Sequence, residues 1–183
     1  MSTTTTGART YVIDPSHTSA NFSVRHLMFA KVRGSFKAVS GTVELPESGF
    51  VPTSIKVTID AASIDTGEPQ RDGHLKSADF FEIETFPTLS FTSTAVMPVD
   101  GESFDAQGEL EIHGVKQPVT LTVANLGQAK DLYGNVRIAY ETAFKINRKD
   151  YGLTWNAALE AGGVAVSDQV EITLDVQILP KSA

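Results

Sequence analysis

The chain has 183 residues, a net charge of −7 and no cysteine, which excludes disulfides, thiol catalysis and cysteine-bound metals. Its acidic balance, with a pI near 5.0, lacks the basic stripe that nucleic acid requires and the polybasic run that anchors a protein to anionic lipid. A hydrophobic content of 41% and a charged content of 20% are ordinary for one globular domain with a sizeable core.

No apolar run approaches the ~20 residues needed to span a bilayer. The opening MSTTTTGART has neither the charged start nor the apolar stretch of a secretory signal, so the chain as it stands is expected to be cytoplasmic. Periplasmic or secreted placement is the alternative if a leader has been removed. Residues 1–8 are predicted to be a disordered polar tail, ahead of a single domain over 9–183.

From Tyr11 to Leu45 the sequence reads as three strands with two joints. Asp14-Pro15 makes a turn, because proline fixes its own φ and pushes its neighbour out of the helical region. Ala20, Phe22 and Val24 then share one face at period two. After a joint near Met28–Lys31, Phe36, Ala38 and Ser40 keep an even register, whereas Val43 and Leu45 take the apolar face beyond Gly41. A one-residue switch beside glycine predicts a β-bulge there. Further alternation follows at Ile55/Val57/Ile59, Leu89/Phe91, Phe104–Ile112, Val119/Leu121/Val123, Val136–Ile146 and Val170–Ile178. Asp100-Gly101, His113-Gly114 and Tyr133-Gly134-Asn135 punctuate these runs as turns.

The stretch Thr66–Phe81 breaks the pattern. Its early proline and apolar Leu75, Ala78 and Phe81 predict a short helix, or two turns broken at Gly73, able to cover one end of the sheet. Asn156–Ala161 is a weaker helical patch. Eight or nine alternating strands fit a closed barrel or a two-sheet sandwich. Val136–Ile146 would span roughly 36 Å at about 3.3 Å per residue, which favours an elongated barrel.

Little in the sequence demands catalysis. His17, His26, His74 and His113 show no ligand spacing, so no metal is expected. Asp14, Ser16 and His17 are adjacent, but adjacency makes no triad, and a turn-capping role for Asp14 and Ser16 accounts for them. Glu68, Asp72, Asp79, Glu82 and Glu84 read as a solvated rim. Strand parity places Arg148 and Asp150 on the inward face, either as a structural ion pair or with Arg148 capping a ligand's polar head. Tyr151 and Trp155 read as core or mouth packing.

Together the segments YVIDPSHTSANFSVRH, V-R-G-S-F with G-T-V, RDGHLKSADFFEIETFPTLSFTST, GELEIHGVKQPVTLTV, R-K-D-Y-G and SDQVEITLDVQIL resemble the YceI-like family of lipocalin-like polyisoprenoid-binding proteins. They cover Tyr11 to Leu179, and the R-D-x-H-L…F-F…P…F block is the most specific. Tyr151 stands where the family more often carries phenylalanine. The resemblance implies an all-β, extended eight-stranded antiparallel lipocalin-like barrel with a short helix covering one end. It also implies a long isoprenoid or similar amphiphile in the cavity, and a homodimer.

The leading expectation is a carrier or storage protein, not an enzyme, whose bound lipid is its only non-protein component. Its slot is lined by Phe22, Val24, Phe36, Ile59, Phe91, Leu121, Tyr140, Phe144, Arg148, Trp155 and Leu174. The alternatives are an enzyme acting on such a lipid through His17, His26 or His74, and a ligand-free barrel with a filled core.

Overall fold

A computed structural model describes residues 7–182; residues 1–6 of the predicted tail lie outside the described residues. The strands are β1 (Arg9–Ile13), β2 (Ser19–His26), β3 (Ala30–Phe36), β4 (Val39–Leu45), β5 (Ser54–Asp60), β6 (Ile64–Asp65), β7 (Thr88–Pro98), β8 (Ser103–Ile112), β9 (Val115–Lys130), β10 (Val136–Asn147) and β11 (Val166–Pro180). The helix α1 spans Pro69–Lys76. All ladders are antiparallel, and β1 pairs with both β4 and β11 to close the sheet on itself.

The 11 segments amount to eight barrel strands, because three of those strands are bent. β1 and β2 follow one another along the same edge of β11, through Ile13↔Ile178 and then Ser19↔Asp175. β3 and β4 likewise pair with β2 and then β1, and β5 and β6 pair with β4 and then β3. The bend in the first strand is the 3-10 turn Pro15–His17, capped by Asp14, whose side chain accepts from the Ser16 amide at 2.9 Å. On either side of it, the Asp14 amide donates to the Gln177 carbonyl at 2.9 Å, and the Gln177 amide donates to Thr18 Oγ1 at 3.2 Å.

The second bend is at Lys37–Ala38, and it corrects the expectation at Gly41. The ladder runs regularly through Gly41↔Val57, and Ala38 and Ser40 point outward. Phe36 and Val43 are both buried, but their odd separation is absorbed where β3 hands over to β4. There the Lys37 amide donates to the Ser63 carbonyl at 3.2 Å and the Ala38 amide to Ser63 Oγ at 3.0 Å. Glycine is needed at 41 for a different reason: a Cβ there would lie 2.1 Å from the Lys56 carbonyl oxygen. Register shifts do occur between Ser93 and Ala95, and opposite the Ala139/Tyr140 step in β10.

Helix α1 starts at Pro69, where a missing amide costs nothing. Glu68 caps it by accepting from the Gln70 and Arg71 amides at 3.2 and 2.6 Å. The helix passes through Gly73 and stops at Lys76, so Leu75, Ala78 and Phe81 do not form a helical stripe; Ala78 is exposed. The apolar cover comes from the turn after it, where Phe80 is buried and Phe81 and Ile83 pack on the core. Asn156–Ala161 is not helical. Asn156 instead clasps Val166, donating from Nδ2 to its carbonyl at 2.7 Å and accepting its amide at Oδ1 at 3.0 Å.

Outside the barrel, Arg137 joins the bend to the β9–β10 hairpin, donating to Asp14 and, from Nε, to Asp131 at 3.0 Å. Burial pushes the Asp14 carboxyl up, but hydrogen bonds from Ser16, Arg137 and His17 outweigh it and hold the group well below the usual carboxylate range. The Asn135 and Tyr133 amides and Arg137 lower Asp131 to about 2. Both groups bind protons more weakly folded than unfolded, so their stabilisation is complete above about pH 4 and is lost as the pH falls through about 2. Urea midpoints measured across that window should therefore drop in the wild type and drop less steeply in Asp131→Asn, which starts from a lower midpoint at neutral pH.

Candidate functional site

Strand parity sends the even-numbered residues of β2, β10 and β11 inward, so the ladder brings Phe22, Ile172 and Phe144 together at one level. Ala20, Leu174 and Thr142 meet at the next. Phe22, Val24, Phe144 and Leu174 face inward yet keep accessible surface, because the barrel is hollow there. The cavity measures about 360 Å³ and is lined along its length by aliphatic and aromatic side chains. β11 lines it from Val166 to Val176; at about 3.3 Å per residue and a tilt of about 40°, that is roughly 25 Å of barrel axis. All eleven residues expected to line a slot, from Phe22 to Leu174, border this one cavity.

Two glycines make room for its wall. A Cβ at Gly34 would sit 2.4 Å from Phe22 Cζ, and one at Gly108 would sit 2.8 Å from the Phe91 ring. Side chains there would push both rings into the slot.

One end is a floor. The loop 46–53 crosses it, and the Tyr140 hydroxyl donates to the Phe50 carbonyl at 2.8 Å. Phe104 packs between the Phe50 and Tyr140 rings and is 1% exposed. Thr142, also inward, gives its hydroxyl to the Thr122 carbonyl at 2.9 Å. Both hydroxyls are spent on the backbone, so the interior presents hydrocarbon. Burial also pushes the Tyr140 phenol up, keeping it neutral.

The other end is a mouth, formed by Thr66, Arg71, His74, Phe80, Trp155, His26 and Val166. The R-D-x-H-L block builds much of this rim. Arg71 donates from Nε to Thr66 Oγ1 at 2.7 Å and from Nη2 to the Thr66 carbonyl at 2.9 Å. Asp72 accepts the Thr66 amide at 2.9 Å and its hydroxyl at 2.5 Å. His74 stands edge-on to Phe80 and Trp155, with centroids 5.1 and 4.9 Å away, and its Nε2 meets Asp79 at 2.8 Å. Of these residues only Trp155 is expected at the slot from the sequence; Thr66, Arg71, His74 and Phe80 lie on a helix and turns without a strand's alternation, and His26 and Val166 stand at strand ends. The block's unusual density of charge beside Phe80 and Phe81 was its available signal.

The histidines do not converge. His17 lies on the outer side at the bend, with Nδ1 2.8 Å from Asp14, and His113 packs edge-on against Phe86. Among the described residues, no group of three or more His, Cys, Asp or Glu side chains has an arrangement that could hold a metal ion.

Arg148 is buried, 3% exposed, but Asp150 is exposed and is not its partner. β10 ends at Asn147, and a 3-10 turn over Arg148–Tyr151 breaks the parity that would have aimed both inward. Arg148 Nε donates to the Ser167 carbonyl at 2.9 Å, and Nη1 donates to the Leu153 and Trp155 carbonyls at 2.6 and 2.9 Å. Nη2 reaches the Val166 carbonyl at 3.4 Å, with Asp168 3.9 Å away. Burial lowers the guanidinium's pKa and Asp168 works against that. The side chain is thus a clamp on the loop that carries Trp155.

A closed eight-stranded antiparallel barrel with an apolar, one-ended slot defines a lipocalin-like cavity protein. The sequence profile of the YceI-like domain matches residues 11–178, and the chain belongs to that family. Protein YceI of Salmonella newport (strain SL254) is 35% identical over 172 residues, covering 93% of this chain and 86% of its own. The Campylobacter jejuni YceI protein superposes with a TM-score of 0.74 at 28% identity, over 86% of this chain and 90% of its own. A polyisoprenoid-binding domain from Saccharophagus degradans has the same fold, with a TM-score of 0.69 at 20% identity over 93% and 98% of the two chains.

The clamp predicts that Arg148→Ala will lower the unfolding free energy by about 3 kcal/mol, because several buried carbonyls lose their donor together. Arg148→Lys should recover little of it, since one ammonium cannot span carbonyls on both sides of the loop. Denaturant titrations give the stability, and emission from Trp155, the single tryptophan, should shift to the red in both variants.

Proposed function

We propose that this protein binds a long apolar or amphiphilic lipid, a polyisoprenoid, an isoprenoid quinone or a similar chain, for carriage or storage. The observation that carries this reading is the hollow: a slot of roughly 25 Å whose inward hydroxyls are already satisfied. Such a surface rewards hydrocarbon and nothing else. A tail of roughly 15 methylenes at about 0.8 kcal/mol each contributes on the order of 12 kcal/mol before ordering costs. The polar head would stay at the mouth, beside Arg71, where water is available and the guanidinium still has Nη1 beyond the Nε and Nη2 bonds it gives to Thr66. The Saccharophagus degradans domain, which shares the fold and is described as binding a polyisoprenoid, supports the same ligand class.

Two other readings fit less well. A structural barrel would have a filled core, and this one is hollow. An enzyme needs an acid or base aimed at its ligand. Here His17 is outside the barrel, His74 is already engaged with Asp79 and two rings, and His26 is exposed at the outer lip of the mouth.

Organic extraction of the purified protein, followed by mass spectrometry, should release a long-chain lipid in near-stoichiometric amount. Leu174→Trp adds a ring in mid-slot where space exists, and should lower lipid per chain several-fold while leaving the melting temperature close to wild type. Equal lipid in a folded Leu174→Trp protein would refute the slot as the site.

A further inference from the structure

The β2–β3 hairpin ends in an unusual turn. The amide of Phe29 bonds back to the His26 carbonyl at 3.4 Å, and the central residues Leu27 and Met28 have φ of 53° and 70°. Two positive φ values in succession suit Asn-Gly; bulky side chains there are strained. Burial does not repay that strain, because Leu27, Met28 and Phe29 are 37%, 61% and 76% exposed. The tip therefore holds three large apolar groups in water, in a conformation their backbones disfavour.

Its position is equally specific. His26, immediately before the turn, lines the cavity mouth, as do Val24 and Val32 in the same hairpin. Met28 leans on Gly163 in the loop that follows Trp155, with Cγ and Sδ each 3.1 Å from where a Cβ would be. Val164, 38% exposed, extends the apolar surface across that loop.

Charge completes the pattern. Arg25, Lys31 and Arg33 alternate with the inward Val24 and Val32, so all three occupy the outer face behind the tip. Glu171 pairs with Lys31 at 3.0 Å. Among the described residues, Arg25 and Arg33 have no carboxylate within salt-bridge distance. In a chain of net charge −7, a hairpin with three cations and no acid from Ser19 to Phe36 is a local exception. Apolar residues at a tip with cations behind them match a bilayer, whose acyl region lies beneath its phosphates.

We infer that the tip Leu27–Phe29 inserts into a phospholipid bilayer containing anionic lipid, bringing the cavity mouth to the membrane where a lipid tail enters or leaves. This rests on the lipid-binding reading above and adds the surface through which exchange occurs. The protein remains peripheral, held by one hairpin.

The test uses the full-length protein and two vesicle preparations, phosphatidylcholine with phosphatidylglycerol and phosphatidylcholine alone. In flotation the wild type should bind the mixed vesicles more strongly, and salt should weaken that binding. Leu27→Asn with Met28→Gly supplies the residues this turn prefers, so the double variant should fold at least as stably. Its partition onto vesicles should nevertheless fall roughly 10- to 100-fold, as expected when two large apolar side chains no longer insert. Phe29→Ser provides a second variant that leaves the strained pair intact, and its partition should fall about tenfold.

Extraction of each variant keeps the two claims apart. Lipid content like wild type with lost vesicle binding supports the membrane role. Vesicle binding unchanged in both variants, or absent in the wild type, overturns it whatever lipid is extracted. A concentration-dependent dimer abolished by Phe29→Ser, with no vesicle binding, overturns it in favour of a second copy at the tip. Absence of extractable lipid from a wild type that still floats through its tip would defeat the slot's assignment instead.

Discussion

Closure of the barrel depends on a bend that two neighbouring strands make at the same level. β1 can pair with β4 on one side and β11 on the other only because the first strand turns at Asp14-Pro15 while its neighbour turns at Lys37–Ala38. A sheet without such corners would twist open and leave an unpaired edge. The Asp14 carboxylate is the pin of the first corner. It holds its own turn through Ser16 and reaches through Arg137 to the β9–β10 hairpin. The second corner has no buried carboxylate; Ser63 supplies the acceptors for its two free amides, and the Lys37 side chain lies outside, 3.9 Å from Asp65.

With the wall closed, the interior sorts itself by polarity. Groups that must point inward, Tyr140 and Thr142, find backbone acceptors, and Arg148 at the rim finds several. The hollow between floor and mouth is left with hydrocarbon surface, while donors and aromatic edges gather at the rim. This gradient from dry to wet along one axis suits a molecule built the same way, an apolar tail with a polar end. It does not suit a compact polar substrate, which would leave its own groups unpaired in the slot.

Much of this was legible in the sequence because a barrel strand announces itself by period two. Val170–Ile178 and Phe104–Ile112 alternate without interruption, and their inward sets are those that line the cavity or pack against it. Legibility failed where period two stops. The corner at Lys37–Ala38 carries neither proline nor glycine, so the register change was read at the nearby Gly41, whose role is to let the Lys56 carbonyl approach. Arg148 does lie inward, but its partners are carbonyls of Leu153 and Trp155 in the loop 152–165 and of Val166 and Ser167 at the start of β11, and no side-chain pattern records those. Asn156–Ala161 looks helical by composition, yet the Asn156 clasp on Val166 ties it into a small hairpin turn, with Ala158 opposite Val164 and the Gly162 amide on the Leu159 carbonyl. Of the rim, Trp155 and a covering helix were legible, but the placing of Thr66, Arg71, His74 and Phe80 comes from how α1 and the following turn sit over the barrel end.

The loop 46–53, fixed by Phe50 beneath Tyr140 and Phe104, makes the barrel a blind tube. A chain entering such a tube goes in tail first and leaves by the way it came, so nothing threads through. For a lipid bound as proposed, the depth from that stop to the rim would act as a ruler. A tail shorter than the tube draws its head below the rim and leaves the polar group unsolvated. A tail that matches it seats the head among the rim donors, and a longer one holds the head out in solvent. Selectivity among chains of identical chemistry can thus arise from length alone, set by where a single tyrosine hydroxyl anchors a loop at the far end.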